Sequence, residues 1–163
     1  MPSYMRLCYG KGLRNLLIFF TPEPASFEQL ILVHSPTYVR QFLSLTLPQR
    51  EAIRIGFQQS EQLVRREVSL VGGTLQGAQY ALENGCAFNI AGGTHHAFSN
   101  RGEGFCMLND QAVATAYLLK HLRISPILII DLDVHQGNGT AEIFAHTPEI
   151  FTFSMHATHN YPF

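Results

Sequence analysis

The sequence predicts an α/β protein, a parallel sheet with helices on both sides in three layers, and three observations carry the prediction. Residues Ile127-Leu128-Ile129-Ile130, bounded by Pro126, form an unbroken apolar run of strand length. Runs without polar alternation belong to strands buried on both faces, as in parallel sheets. Helical periodicity over 60–82 and 109–122 is interleaved with short apolar segments at 86–90, 127–130 and 149–155. Strand, helix, strand, helix, strand in that order implies right-handed crossovers that lay helices on the sheet.

From the N-terminal end, Gly10 and Gly12 precede a short strand at Leu16–Phe20, which Thr21-Pro22-Glu23-Pro24 ends. Ser26 is the expected cap of a short helix through Phe27, Leu30 and Ile31. His34-Ser35-Pro36 breaks that helix and starts another, with Tyr38, Phe42 and Leu45 on one face until Pro48. Arg50, Glu51 and Arg54 are expected in a solvated segment. Leu63, Val64, Val68, Val71, Leu75, Ala78 and Leu82 then recur at helical spacing, between Ser60-Glu61 and Asn84-Gly85. Gly72-Gly73 lowers the propensity of that helix, and close packing of helix on sheet is the expected reason. Cys86–Ile90 reads as a strand and Ala91-Gly92-Gly93 as the turn out of it. The helix from Asn109 to Leu122 buries Ala112, Val113, Ala116, Leu119 and Leu122. After the central strand, Gly137 and Gly139 are expected to turn the backbone tightly, with Thr140 capping a short helix near Ala141–Ala145. Glu149–Met155 is the last strand. No repeat, low-complexity tract or linker interrupts 1–163, so one domain is expected.

Apolar residues make up 46% of the 163 residues and charged residues 14%, which excludes a disordered chain and allows a real core. A net charge of −1 gives no electrostatic case for nucleic acid or an anionic membrane as partner. Cys8, Cys86 and Cys106 are odd in number and irregular in spacing, which fits a reducing compartment better than a disulfide framework. The apolar stretch Leu16–Phe20 is too short to span a bilayer and lacks the pattern of a signal peptide. A cytoplasmic location is expected, or a nuclear one in a eukaryote. Oligomeric state is not legible.

The chemistry concentrates where the central strand ends. Asp131, Asp133 and His135 follow the apolar run at alternate positions, which in extended backbone share one side. The carboxyl ends of strands are where open α/β sheets place ligands. Two carboxylates that close repel unless a cation or proton lies between them. A divalent metal held by oxygen and nitrogen answers this, and zinc accepts the mixture. A solvated turn with a capping Asp is the plain alternative, and the isolated stretch does not choose. His95-His96, adjacent on a Gly-rich loop (91–110), adds the second half. An imidazole bonded to a carboxylate through one nitrogen offers the other as a proton acceptor or donor near neutral pH. Metal-bound water is a suitable target for such a base.

Gly92-Gly93-Thr94-His95-His96-Ala97, Gly104-Phe105-Cys106-Met107-Leu108-Asn109-Asp110 and the run Asp131 to Thr140 (DLDVHQGNGT), in this order, resemble the histone deacetylase family. That family also includes acetoin-utilisation proteins and acetylpolyamine amidohydrolases. The likeness runs from His34–Val39 to Phe153–His156, and Gln136 and Asn138 are similar to bacterial or class IV-like members. It implies the arginase/deacetylase fold, present in part, and zinc-assisted hydrolysis of an acetamide. The implied substrates are acetyl-lysine, in a histone or another protein, and related acetylated amines. Asp133 and His135 would be zinc ligands, Asp131 would orient His95, and His95 and His96 would be the proton-transfer pair. Gly104 and Phe105 would line a narrow acyl-lysine tunnel, with Tyr161-Pro162-Phe163 at its rim. Asp131, Asp133, His135, Ser154 and Met155 would contribute oxygens to a structural monovalent-cation site, K+ being the candidate ion. Cys106, Asn109 and Asp110 would be supporting structure.

Two departures qualify the expectation. Asn138 stands where some members carry an Asp that partners the second histidine, so His96 should be harder to protonate. The family's third zinc ligand, an Asp, and its oxyanion-stabilising Tyr have no counterpart here, although His156 and His159 are close in sequence. A truncated domain with weakly held zinc, low or absent activity and an exposed apolar sheet edge is therefore expected. A domain that binds metal, acyl-lysine or a partner without turnover is the alternative. An arginase-type hydrolase is disfavoured, because its order would resemble Asp-x-His-x-Asp.

Overall fold

The computed structural model describes residues 19–163. Strand β1 (Ile127–Asp131) runs parallel to β2 (Ile150–Ser154), in register from Ile127 opposite Ile150 to Asp131 opposite Ser154. The two are joined through helix α6 (Asn138–Phe144). On one face of this pair, Ile129 and Ile150 pack with Phe144 of α6 and Ala112 of α5 (Asp110–Leu122). The other face is bare among the described residues. Leu128 lies opposite Phe151 and Ile130 opposite Phe153, and all four are exposed. The expectation of strands buried on both sides is thus met on one side only, because α5 and α6 cover the same face.

The strand expected at Cys86–Ile90 carries no ladder with β1 among the described residues. Its side chains hold it instead: Asn89 Nδ2 donates to Leu70 O (3.0 Å) and Thr74 Oγ1 (2.7 Å) of the long helix α4 (Glu61–Asn84). Phe88 and Ile90 point outward and are exposed. Of the strand expected at Leu16–Phe20, residues 16–18 lie outside the described residues, and Phe19-Phe20 has no regular structure.

The helices follow their caps. α1 (Phe27–Leu30) begins with a reciprocal capping box, Ser26 Oγ accepting from Gln29 N and Gln29 Oε1 accepting from Ser26 N. α2 (Pro36–Leu43) starts at Ser35 and ends short of Pro48. Residues expected in a solvated segment form α3 (Gln49–Ile55), because Ile55 joins Leu47, Tyr38 and Phe42 in the core. α4 starts at Ser60, whose Oγ accepts from Leu63 N, and ends at Gly85 in a left-handed turn (φ 94°). Its Gly72-Gly73 pair faces chain segments rather than the sheet. A Cβ on Gly72 would overlap the carbonyl oxygen of Glu23, and one on Gly73 would press on Asn89. α4 and α5 pack on each other over Val71, Leu75, Val113 and Ala114. No helix among the described residues is long and apolar enough to cross a membrane.

Candidate metal and catalytic site

The site lies at the carboxyl end of β1. Asp131 closes the strand and is buried; its Oδ2 is 2.5 Å from His95 Nδ1, and its Oδ1 accepts from Asp133 N (3.0 Å). Asp133 Oδ1 in turn accepts from His135 N (2.7 Å) and lies 3.1 Å from His135 Nδ1. The far ring nitrogen of His95, Nε2, is 3.8 Å from Asp133 Oδ1. Asp131 from inside and Asp133 at the surface therefore converge on His95, while His135 bonds Asp133 and lies 5.9 Å, centroid to centroid, from the His96 ring. The backbone N–H of His135, more than any other group, holds the Asp133 carboxyl below its usual range.

His96 stacks beside His95 (centroids 4.1 Å apart) and bonds Asn138 Oδ1 through Nδ1 at 2.7 Å. Asn138 Oδ1 also accepts from Gly139 N, so the bond to His96 is donated by Nδ1–H and Nε2 carries the lone pair. Burial is the main cause that lowers the His96 pKa; the charges of His95 and His135 add to it, and the Asn138 bond works in the opposite direction. His96 is thus hard to protonate, as expected, but chiefly because it is buried.

The loop and the strand end are locked together by close backbone approach. Thr140 N donates to His95 O (3.1 Å), and Asn109 Nδ2 donates to Ala97 O (3.2 Å) and Thr140 Oγ1 (3.0 Å). A Cβ on Gly139 would overlap Ala97 O, and one on Gly137 would overlap Asp131 Oδ2. Gly137 has φ −73°, open to any residue, so both glycines serve clearance rather than the tight turn expected. Thr140 is likewise no cap: α6 already starts at Asn138, and the Thr140 hydroxyl is an internal acceptor. Asp110 anchors the loop from behind, its Oδ1 accepting from Thr94 N (2.8 Å) and Oγ1 (2.7 Å) and its Oδ2 from Thr74 Oγ1 (2.5 Å).

Gly104, at φ 53°, adjoins His96 and Tyr161: a Cβ would sit tightly, 3.0 Å from His96 Cδ2 and 3.1 Å from Tyr161 Cε1. Phe105 has a left-handed φ of 65°, donates its N–H to Ile55 O (2.7 Å), and leans edge-on against Phe57, with 64% of its surface exposed. Ser154 Oγ accepts from Gly137 N (3.3 Å) and lies 3.0 Å from His156 Nδ1. Met155 donates its N–H to Asp131 O (3.0 Å) while its side chain is exposed. His159 is exposed. Among the described residues no group of three or more His, Cys, Asp or Glu side chains is placed to hold a metal.

Sequence reasoning gave no role in the site to His34, Tyr38 and Glu103, and placed Tyr161 only at the tunnel rim. His34 is buried, donates from Nδ1 to Phe98 O (2.9 Å) and accepts from Asn109 N (2.9 Å), and burial lowers its pKa to about 4. Tyr38 donates to Met107 O (2.8 Å). Both lie in the His34–Val39 stretch already noted for its likeness, which was the available signal. Tyr161 and Glu103 carry no local pattern that marks them.

Parallel strands, flanking helices and a paired-histidine, paired-carboxylate site at the strand end together define an α/β protein of the arginase/deacetylase fold. The chain belongs to the histone deacetylase domain family, whose pattern it matches over residues 3–163. It is 46% identical to an uncharacterised protein of Picosynechococcus sp., over 99% of this chain and 55% of that protein. It is 38% identical to the acetoin utilization protein AcuC of Bacillus subtilis, over 88% of this chain and 39% of that protein. The crystal structure of an HDAC homologue from Aquifex aeolicus aligns with a TM-score of 0.78 at 31% identity, over 93% of this chain and 44% of the other. The chain spans about half the length of these relatives, or less.

Proposed function

We propose that this chain carries the histidine and carboxylate side of a zinc-dependent deacetylase site. The reaction is hydrolysis of the acetamide of acetyl-lysine, in a histone or another protein, or of a related acetylated amine. The observation that carries the proposal is the buried His95–Asp131 hydrogen bond, 2.5 Å long, set beside Asp133 and His135.

The donor chemistry suits zinc: a carboxylate oxygen of Asp133 and a ring nitrogen of His135 lie side by side. Bound there, zinc supplies polarisation of the acyl carbonyl and a lowered pKa for the attacking water. Catalytic zinc sites use three protein ligands, so Asp133 and His135 alone hold the ion weakly. Asp131 accepts from His95 Nδ1–H and leaves Nε2 to take a proton; Asn138 fixes His96 in the same tautomer. One histidine of the pair takes the proton and later delivers it to the leaving amine. By resemblance Gly104 and Phe105 line the tunnel for the aliphatic stem, the exposed Phe105 ring as its aromatic wall. A monovalent cation, K+ by resemblance, is proposed among Asp131, Asp133, His135, Ser154 and Met155, where the ends of β1 and β2 adjoin. Three cysteines at irregular spacing suit a reducing, cytoplasmic location.

Binding without turnover is the second reading; among the described residues no third His, Cys, Asp or Glu joins Asp133 and His135 in a metal-holding group. With saturating zinc, hydrolysis of an acetyl-lysine peptide is expected to be slow and to fall about 100-fold in His95→Ala, the scale of lost acid–base catalysis. Peptide binding without hydrolysis supports the second reading. Neither binding nor hydrolysis contradicts both.

A further inference from the structure

We propose that Tyr161 is a positioning residue for His96, clamped in place by Glu103. This rests on reading His96 as one of the proton-transfer pair. A histidine held through one hydrogen bond keeps freedom to tilt about that bond. His96 is held through Nδ1 by Asn138 and packs beside the His95 ring, and a contact from a further side of the ring fixes its plane. Tyr161 supplies it, its ring standing at 82° to that of His96 with centroids 4.9 Å apart. The same ring is 6.1 Å from that of His135, so it braces the histidine and the metal-binding edge together.

What holds Tyr161 is its hydroxyl, which donates to Glu103 Oε1 at 2.7 Å. Glu103 is a fixed acceptor. Its backbone exchanges two hydrogen bonds with Cys106 (3.0 and 2.9 Å), and Arg101 Nε donates to its other carboxylate oxygen at 3.3 Å. Gly104 permits the contact, since a side chain there would press on both rings. Burial, with the Glu103 carboxylate adding to it, raises the pKa of the Tyr161 hydroxyl, so it stays a donor across the working range. The segment after β2 is thereby tied to the histidine loop by one side chain. A phenylalanine at 161 would offer the same ring without the tie.

The test is proton–carbon NMR of the full chain labelled at histidine, which reads the ring-current shift of the His96 Cδ2–H signal. Tyr161→Leu defines the shift without an aromatic ring. Tyr161→Phe and Glu103→Ala are each expected to move the signal at least halfway to that position. Glu103→Gln, which keeps a carbonyl acceptor, is expected to leave it at the wild-type position. The buried His34 signals should not move in any of the four, which separates an effect on His96 from general loosening. A wild-type shift in Tyr161→Phe or in Glu103→Ala would overturn the clamp, as would equal shifts at His34. Absence of hydrolysis leaves this readout unaffected, so failure of the deacetylase reading and failure of the clamp are distinguishable.

Discussion

Gly139→Ala is expected to destabilise the chain by about 2 kcal/mol or more, although it places the best helix former inside a helix. Alanine in place of glycine in a helix gains up to about 1 kcal/mol. Here the added Cβ would overlap Ala97 O and lie 2.7 Å from both Ala97 C and His95 O. These are backbone atoms, which cannot swing aside as a flexible side chain does, and overpacking of this kind costs about 1–3 kcal/mol or more. The overlap wins. Relief would require α6 to move off the histidine loop, breaking the Thr140–His95 bond and displacing the His96–Asn138 pair. Gly77→Ala is the matched control, since its Cβ would meet only Ala87 Cβ at an ordinary 3.7 Å. Urea denaturation should show Gly77→Ala stabilised by up to about 1 kcal/mol and Gly139→Ala shifted the other way. Equal stabilisation of both would mean that α6 and the loop are not in contact.

The pH dependence of stability should have opposing contributions from His34 and Glu67. His34 has a folded pKa of about 4 against 6.5 unfolded, because it is buried. Its contribution is present above pH 6.5 and is lost as pH falls toward 4, where the unfolded chain binds the extra proton. Glu67 on α4 is 0% exposed, and its Oε2 has no hydrogen-bond partner among the described residues. Burial raises its pKa to about 7, with Arg66, paired to its other oxygen, working in the opposite direction. Its contribution is full below about pH 4.5, where both states are protonated, and is lost as pH rises through 7. Each shift is worth up to roughly 3 kcal/mol at 1.36 kcal/mol per unit. Between about pH 4.5 and 6.5 the two slopes cancel in large part. Glu67→Gln should remove the falling slope, so that its stability rises from pH 4.5 to 6.5 and then stays level to pH 8. An unchanged profile in Glu67→Gln would show that Glu67 is not the titrating group.

Helix starts were legible because their chemistry is local: Ser26, Ser35, Ser60 and Asn109 each cap with their own side chain. The β1–β2 pair was legible from its apolar runs. The sheet's extent was not, since 86–90 has strand composition but its bonds go to α4 through Asn89. The charges Arg50 and Arg54 are solvated as expected, but that they stand on a helix, α3, was not legible, because only Ile55 anchors it in the core. In the site, the pairing of His95 with Asp131 and of His96 with Asn138 was legible only through the resemblance to the family. The clearance role of Gly137 and Gly139 was not, because it depends on backbone brought from residues 95–97. Tyr161 and Glu103 are 58 residues apart, and no local pattern joins them.

Competition titration of zinc against a chelator tests the metal-binding edge most directly. One weak site is expected, lost in Asp133→Ala and in His135→Ala and retained in Gly77→Ala. Tight stoichiometric zinc that survives both substitutions would place the ion elsewhere and contradict the assignment of the site.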